Sequence, residues 1–339
     1  MPKLRMRQTI LAALTDEMRR DPTVVVFGED VAEAGGPFKT SEGLLEEFGA
    51  KRVRDTPISE MGFLGMALGA AATGLRPVAE IMFMEFLGVA LDQLVTEAAK
   101  FHYLSGGRFR APMTVRASVG AGLGFGSQHS QCMETWLYAT PGLKLAVSSG
   151  PQTAYGLLRA AIQDDNPVVV LEPRSLYAER AEVTLGADAI IPLGTAAVDR
   201  GGEDVTVVGL GSTVRVVRDA HALGGGWTAE VVDLRTLIPW DRRAVVESVR
   251  RTGRLVIVEE GPYSGGWGTE IASHVSSELF GELRAPVVRV TAPDVPVPFP
   301  PKLESRYVPD AAYVDEQVTE LLRTNRRPRT WWEKEGISA

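Results

Sequence analysis

The residues with the clearest chemical potential lie between Asp55 and Phe86, in the stretch D-T-P-I-S-E-M-G-F-L-G-M-A-L-G-A-A-A-T-G-L-R-P-V-A-E-I-M-F-M-E-F. One carboxylate, Glu60, stands at the mouth of a run in which nearly every side chain from Gly62 to Thr73 is small or apolar. A carboxylate in the first turn of a helix is favoured by the helix dipole by about 0.3–1 kcal/mol, so the plain reading of Glu60 is a good helix-start residue. An acid held in a water-poor pocket has another use: its pKa rises and it can share a proton with a ligand nitrogen. The second candidate is His129, in S-V-G-A-G-L-G-F-G-S-Q-H-S-Q from Ser118 to Gln131. Four alternating glycines after a strand invite a dinucleotide-loop reading. That fingerprint needs a helix opening at the third glycine and an acidic residue about 20 residues on, and neither is evident. We read the segment instead as a long flexible loop that delivers His129 to a ligand. A lone loop histidine is more commonly structural, but flanking Gly, Ser and Gln keep this ring reachable.

Two further stretches carry weaker signals. Val205–Thr213, V-T-V-V-G-L-G-S-T, is a strand, a glycine turn and a helix start, and a G-x-G alone is common in α/β proteins. Ala160–Asn166, A-A-I-Q-D-D-N, ends a helix ahead of Pro167. Its free carbonyls either meet water or hold a hard or monovalent cation, and the sequence alone favours water. No Walker A sequence, G-x-S-x-G elbow or H-E-x-x-H is present.

The elements that position these residues follow from periodicity. Met6 to Arg20 repeats its apolar residues at helical spacing. Thr23–Phe27 is a continuous apolar run, a buried strand, ending in G-E-D at Gly28–Asp30. Ser59 is placed to cap the apolar helix from Glu60, Gly74 to end it, and Pro77–Met82 to form the next strand. A helix apolar on all sides must be buried, in a core or against another subunit. Gly62, Gly65 and Gly69 each weaken it by roughly 1 kcal/mol, which implies a backbone or ligand packed close to that face. Phe86 to Lys100 reads as an amphipathic helix, and strand and helix alternate from there to the end. This predicts an α/β protein with two domains, each a mostly parallel sheet covered by helices. Loosened patterning around Gly186, Pro192, Gly194 and Gly201–Gly202 puts a linker at 186–202, between domains at 1–185 and 203–339. Trp331 and Trp332 in the last segment predict a tail docked on something apolar.

Composition narrows the function classes. A formal charge of −7 and a pI near 5.4 argue against nucleic acid or an anionic membrane as partner. Lys3, Arg5 and Arg7 precede an amphipathic pattern, so no signal peptide is expected, and no apolar run has membrane-spanning length. Cys132 is the single cysteine, which excludes an internal disulfide and predicts a reducing, cytoplasmic setting. The four histidines are too scattered to suggest a zinc site.

Taken in order, D-T-P-I-S-E-M-G-F at Asp55–Phe63, G-L-R-P-V-A-E at Gly74–Glu80, Q-H-S-Q at Gln128–Gln131, P-G-L-K at Pro141–Lys144, D-D-N-P-V-V-V-L-E at Asp164–Glu172 and V-E-E-G at Val258–Gly261 form one pattern. From about Arg7 to Leu321 the chain resembles the beta subunit of the thiamin-diphosphate-dependent 2-oxo acid dehydrogenase first component. The resemblance implies a thiamin pyrimidine-binding domain and a transketolase-type C-terminal domain, in an α2β2 heterotetramer. It implies that Glu60 hydrogen-bonds N1′ of the cofactor's aminopyrimidine, with Phe86 beside that ring and Met82 a further contact. His129 would help transfer the acyl group to a lipoyl group on the acyltransferase component. Main-chain oxygens of Met113, Ala161, Ile162, Asp164 and Asn166 match a potassium site of relatives. Magnesium and the diphosphate would be held by the alpha subunit through a G-D-G motif and a downstream Asn, which this chain lacks. The implied substrate is a small 2-oxo acid, pyruvate first. Acetoin cleavage, a non-catalytic docking subunit and a nicotinamide-dependent oxidoreductase are the alternatives in descending order.

Overall fold

The computed structural model describes residues 1–336, which divide into two compact units. The first comprises Met1–Val119, Trp136–Leu193 and Leu237–Pro239; the second comprises Gly120–Thr135, Gly194–Thr236 and Trp240 onward.

The strands of the first unit are β1 (Lys3–Arg5), β2 (Val24–Gly28), β3 (Val53–Asp55), β4 (Arg76–Ile81), β5 (Thr114–Val119), β6 (Lys144–Val147), β7 (Val168–Pro173) and β8 (Arg180–Glu182). Its helices are α1 (Met6–Arg20), α2 (Leu44–Phe48), α3 (Glu60–Ala72), α4 (Leu87–Leu91), α5 (Ala99–Leu104), α6 (Thr135–Tyr138) and α7 (Pro151–Gln163). β1 and β8 pair with each other. The others form a sheet in the order β6-β7-β5-β4-β2-β3, parallel throughout, with the later strand β12 (Thr236–Ile238) beyond β6. The valine-rich strands are buried on both faces because helices cover them. On one side Ile10, Leu14 and Met18 of α1 and Tyr155 and Leu158 of α7 pack on Val24, Val26, Val78 and Val170. Arg159 and Glu17 pair at 2.7 Å between these two helices.

The second unit carries β9 (Ala197–Arg200), β10 (Val205–Gly209), β11 (Ala229–Asp233), β13 (Leu255–Pro262) and β14 (Val288–Ala292), in the order β14-β13-β10-β11-β9. Only β9 is antiparallel to its neighbour. Its helices are α8 (Ser212–Ala222), α9 (Arg242–Thr252), α10 (Gly268–Glu278), α11 (Pro301–Tyr307), α12 (Ala311–Thr324) and α13 (Trp331–Lys334). The expected docked tail is α13: Trp332 is buried against Tyr313 of α12, with ring centroids 6.5 Å apart. The segment from Pro293 runs without helix to Pro300, and Pro301 opens α11, where a missing N–H does no harm.

Two expectations for the central helix change. Ser59 holds the N-cap position of α3, but its side chain makes no capping hydrogen bond and lies where a Cβ at residue 62 would sit, 2.6 Å away. Nor is α3 buried all round. Phe63, Leu64, Ala67, Leu68 and Ala71 face inward, while Met61 and Met66 are 55% and 46% exposed and Ile58 ahead of them 84%. Gly65, like Gly62, has a close neighbour: its Cβ would stand 2.9 Å from Gln93 Oε1. Gln93 lies in a π-helical segment, Asp92–Ala98, that joins α4 to α5, and Lys100 Nζ donates to the carbonyl of Val95 there at 2.6 Å. Gly69 meets nothing within 4 Å in this chain.

Candidate active site

The first sheet has a topological switch point. From β2 the chain moves outward to β3, then returns to the other side of β2 to form β4 and continues away. In open α/β sheets ligands bind beyond the carboxyl ends of the strands at such a point. Here those ends are level: Gly28 pairs with Asp55 on one side and with Glu80 on the other. The approach is so close that a Cβ at Gly28 would lie 2.6 Å from the carbonyl of Glu80. Glu29, Thr56 and Met82 therefore leave the sheet along one edge, and α3 starts just beyond Thr56 with Glu60 in its first turn.

Glu29, which sequence reasoning passed over, is the second acid of this edge. Burial raises its pKa first, and the charges of Glu60 and then Asp30 raise it further. Its Oε1 is buried with no hydrogen-bond partner among the described residues, as is Thr56 Oγ1. An unmatched buried oxygen forgoes about 1–3 kcal/mol, which makes these two oxygens candidate points for a hydrogen-bonding guest. The only sequence signal for Glu29 was its place directly after a buried strand. The loop behind it is held by Asp55, whose carboxylate accepts from the N–H groups of Ala32 at 2.7 Å and Glu33 at 3.3 Å.

Aromatic rings continue this edge after β4. Phe83 stands edge-on to Phe86 at 5.6 Å and to Phe38 at 5.8 Å, and the Arg174 guanidinium lies 4.9 Å from the Phe83 ring centre. Phe86 is half-buried. Met82 is half-buried too, and its carbonyl accepts a hydrogen bond from Ser118. Beneath lies a buried charge network. Arg116 of β5 donates to both oxygens of Glu172 at 2.8 and 2.9 Å and to Glu80 at 2.7 Å, while Thr40 donates to Glu80 at 3.3 Å and Tyr177 to Glu172 at 2.9 Å. Burial pushes the Glu80 carboxyl up against the pull of Arg116. Removing Arg116 would leave two carboxylates buried without their cation, a loss of about 3–5 kcal/mol.

The five carbonyls at Met113, Ala161, Ile162, Asp164 and Asn166 lie on joined segments of the first unit. The Met113 carbonyl accepts from Val168 N at 3.0 Å and that of Ala161 from Asp164 N at 3.2 Å. Arg76 Nη1 donates to the carbonyls of Ile162 at 3.2 Å and Asp164 at 2.9 Å, and Arg76 Nη2 to Asp165 at 2.6 Å. Burial would raise the Asp164 carboxyl, but hydrogen bonds from Lys144 and Asn166 hold it below its ordinary value.

His129 belongs to the second unit, on the segment Gly120–Thr135; Glu60, Met82 and Phe86 belong to the first. The residue is half-buried, and its backbone N–H donates to the carbonyl of Gly126 at 3.2 Å. The segment is anchored more firmly than a flexible loop: Ser127 Oγ donates to the carbonyl of Val297 at 2.6 Å, and Gly126 lies under the Phe299 ring. Among the described residues no group of three or more His, Cys, Asp or Glu side chains is arranged to hold a metal ion. Among them, too, no helix is long and apolar enough to cross a membrane.

The family "Transketolase, pyrimidine binding domain" matches residues 2–180, and "Transketolase, C-terminal domain" matches residues 194–314. The chain is 43% identical over 320 residues to the pyruvate dehydrogenase E1 component subunit beta of Rhizobium meliloti, covering 94% of this chain and 70% of that protein. It is 42% identical over 333 residues to the acetoin:2,6-dichlorophenolindophenol oxidoreductase subunit beta of Cupriavidus necator, covering 95% and 98%. It is also 42% identical over 312 residues to the mitochondrial 2-oxoisovalerate dehydrogenase subunit beta of Dictyostelium discoideum, covering 91% and 84%. Among solved structures, a split gene transketolase described as an inactive beta4 tetramer superposes with a TM-score of 0.77 at 26% identity, covering 95% of this chain and all of that one.

Proposed function

The chain belongs to the family of transketolase-type beta subunits of 2-oxo acid dehydrogenase first components, and from that premise we propose that it is the beta half of a pyruvate dehydrogenase that passes the acyl group to a lipoyl group of the acyltransferase. The family is thiamin-diphosphate-dependent. The observation that carries the reading is the pair Glu29 and Glu60 at the switch point of the first sheet, with a buried carboxylate oxygen left unmatched.

Thiamin diphosphate, when bound, supplies the electron sink for loss of carbon dioxide. The residues present suit its aminopyrimidine. Glu60 would hold and move the proton at N1′. Burial and the neighbouring Glu60 charge raise the Glu29 carboxyl above its ordinary value, which suits a second acid beside the first. Phe86 would orient the ring, with Met82 lining the same edge, and His129 would assist acyl transfer. The carbonyls of Met113, Ala161, Ile162, Asp164 and Asn166 retain lone pairs for potassium, which would add to the positive charge Arg76 already brings. Magnesium and the diphosphate are assigned to an alpha subunit in an α2β2 heterotetramer, and the exposed side of α3 to its interface. We place the enzyme in the cytoplasm.

Acetoin cleavage by the same residues is the second reading, supported by the identity to acetoin-type subunits. A docking subunit without catalysis would have no use for the Glu29–Glu60 pair. The test is purification with and without the alpha subunit. Alone, the chain should bind thiamin diphosphate weakly in calorimetry, turn over nothing and self-associate, as in the inactive beta4 tetramer of the split gene transketolase. With the alpha subunit it should form a heterotetramer with magnesium-dependent decarboxylase activity. Tight cofactor binding and turnover by the lone chain would sink the shared-site reading.

A further inference from the structure

The glycine loop turns several of its backbone N–H groups toward buried carboxylates. Gly120, Gly122, Gly124 and Gly126 have φ of +99°, +92°, +72° and +73°, while Ala121, Leu123 and Phe125 between them stay out of the left-handed region. Positive-φ glycines let backbone N–H groups turn toward an anion, and we call the cradle they form here a nest. The anions here are the chain's own. Ala121 N donates to Glu260 Oε1 at 2.5 Å, Gly122 N to Glu304 Oε1 at 2.9 Å, and Gly124 N to Glu304 Oε2 at 3.0 Å. Both carboxylates are buried, Glu304 at 4% and Glu260 at 9% exposure, so the amides compensate charge that would otherwise be costly.

The place matters as much as the bonds. The second sheet has its own switch point: β11 lies on one side of β10 and β13 on the other. Glu260 lies near the carboxyl end of β13, and its other oxygen accepts from Ser212 at the start of α8, directly after β10. The loop therefore lies where an open α/β sheet would take a ligand. The last tie, Ser127 to Val297, precedes His129 by two residues.

We propose that Glu304 and Glu260 are positioning residues: they serve as internal anions of this nest and fix the loop that carries His129. The proposal rests on the role given to His129 above. Glu304→Gln keeps the volume but sets an amide N–H against the loop N–H groups. In the chain purified with its alpha subunit, backbone amide exchange of the 120–131 peptide should quicken at least about 10-fold, with the second sheet unchanged. Lipoamide-dependent turnover should fall by about as much, and decarboxylation with an artificial electron acceptor should fall less. Gly122→Ala leaves Glu304 in place and adds a Cβ that meets nothing within 4 Å, so it acts through φ alone and should give the same pattern. Glu304→Asp should recover part of both readouts.

Unchanged loop exchange in both variants would overturn the proposal, as would quickened exchange spread through the second sheet. Quickened loop exchange with both activities intact would overturn the link to His129. His129→Ala, measured alongside, keeps the two readings apart. If it leaves lipoamide-dependent turnover intact, the role of His129 falls, and the exchange data still decide whether the carboxylates hold the loop.

Discussion

The role proposed for Glu60 turns on a single proton. Glu60→Gln preserves volume and hydrogen bonding but cannot take or give the proton at N1′. Decarboxylation by the reconstituted enzyme should fall at least about 100-fold, the lower range for a general acid–base group, with the unfolding midpoint little changed. Near-normal activity would remove Glu60 from the mechanism. Glu134 offers a test of a different kind in the second unit. Burial first, then the charges of Glu260 and Glu259, push its carboxyl up to about 7. A raised acid stabilises the fold while protonated, so its contribution is fully present below the ordinary glutamate value of about 4.3 and is lost as pH rises through about 7. Glu134→Gln keeps the neutral form at every pH. Relative to the parent it should gain stability between about pH 4.5 and 7.5, on the order of 3–4 kcal/mol at the upper end, measured by denaturant titration. Parallel pH profiles for the two proteins would show that this carboxyl does not titrate as described.

At the scale of elements, α3 is the informative one. Its exposed side, with Met61, Met66 and Gly69, is the surface we assigned to the alpha subunit. Gly69→Ala separates the possibilities, because the new methyl meets nothing in this chain. It should stabilise the lone chain by up to about 1 kcal/mol through helix propensity, yet weaken assembly with the alpha subunit. Stabilisation with unimpaired assembly would place the interface elsewhere.

The same element shows what the sequence could and could not reveal. Its apolar run, the valine strands and the alternation of strand and helix were legible, because a strand covered on both faces reads as an unbroken apolar stretch. The short strands Val53–Asp55, Ala197–Arg200 and Thr236–Ile238 were not. They are sheet edges or end strands of three or four residues, two of them carrying charges, and leave no periodic signature. The π-helical segment beside Gly65 was equally hidden, since its sequence reads as ordinary helix. Glu60 was visible because its apolar setting is local. Glu29 was not: its character comes from the alignment of Gly28 with Asp55 and Glu80, and from a charge 31 positions along the chain. Glu304 meets the glycine loop across 182 residues, beyond the reach of any local pattern.

For the whole molecule, the order of its segments has a consequence for inheritance. The chain leaves the first unit at Gly120, contributes sixteen residues, Gly120–Thr135, to the second, and returns; later Leu237–Pro239 goes the opposite way. A gene cut between Leu193 and Gly194 would look like a clean division, but each product would lack a piece encoded in the other. The downstream product would keep Glu260 and Glu304 and lose the N–H groups of Ala121, Gly122 and Gly124 that neutralise them. Expressed alone it should bind ANS as a loosely packed state, and a synthetic peptide covering residues 118–135 should raise its melting temperature; a downstream product as stable without the peptide would contradict this. Recombination that exchanged one half for a distant counterpart would have to match a loop encoded in one half to two carboxylates encoded in the other.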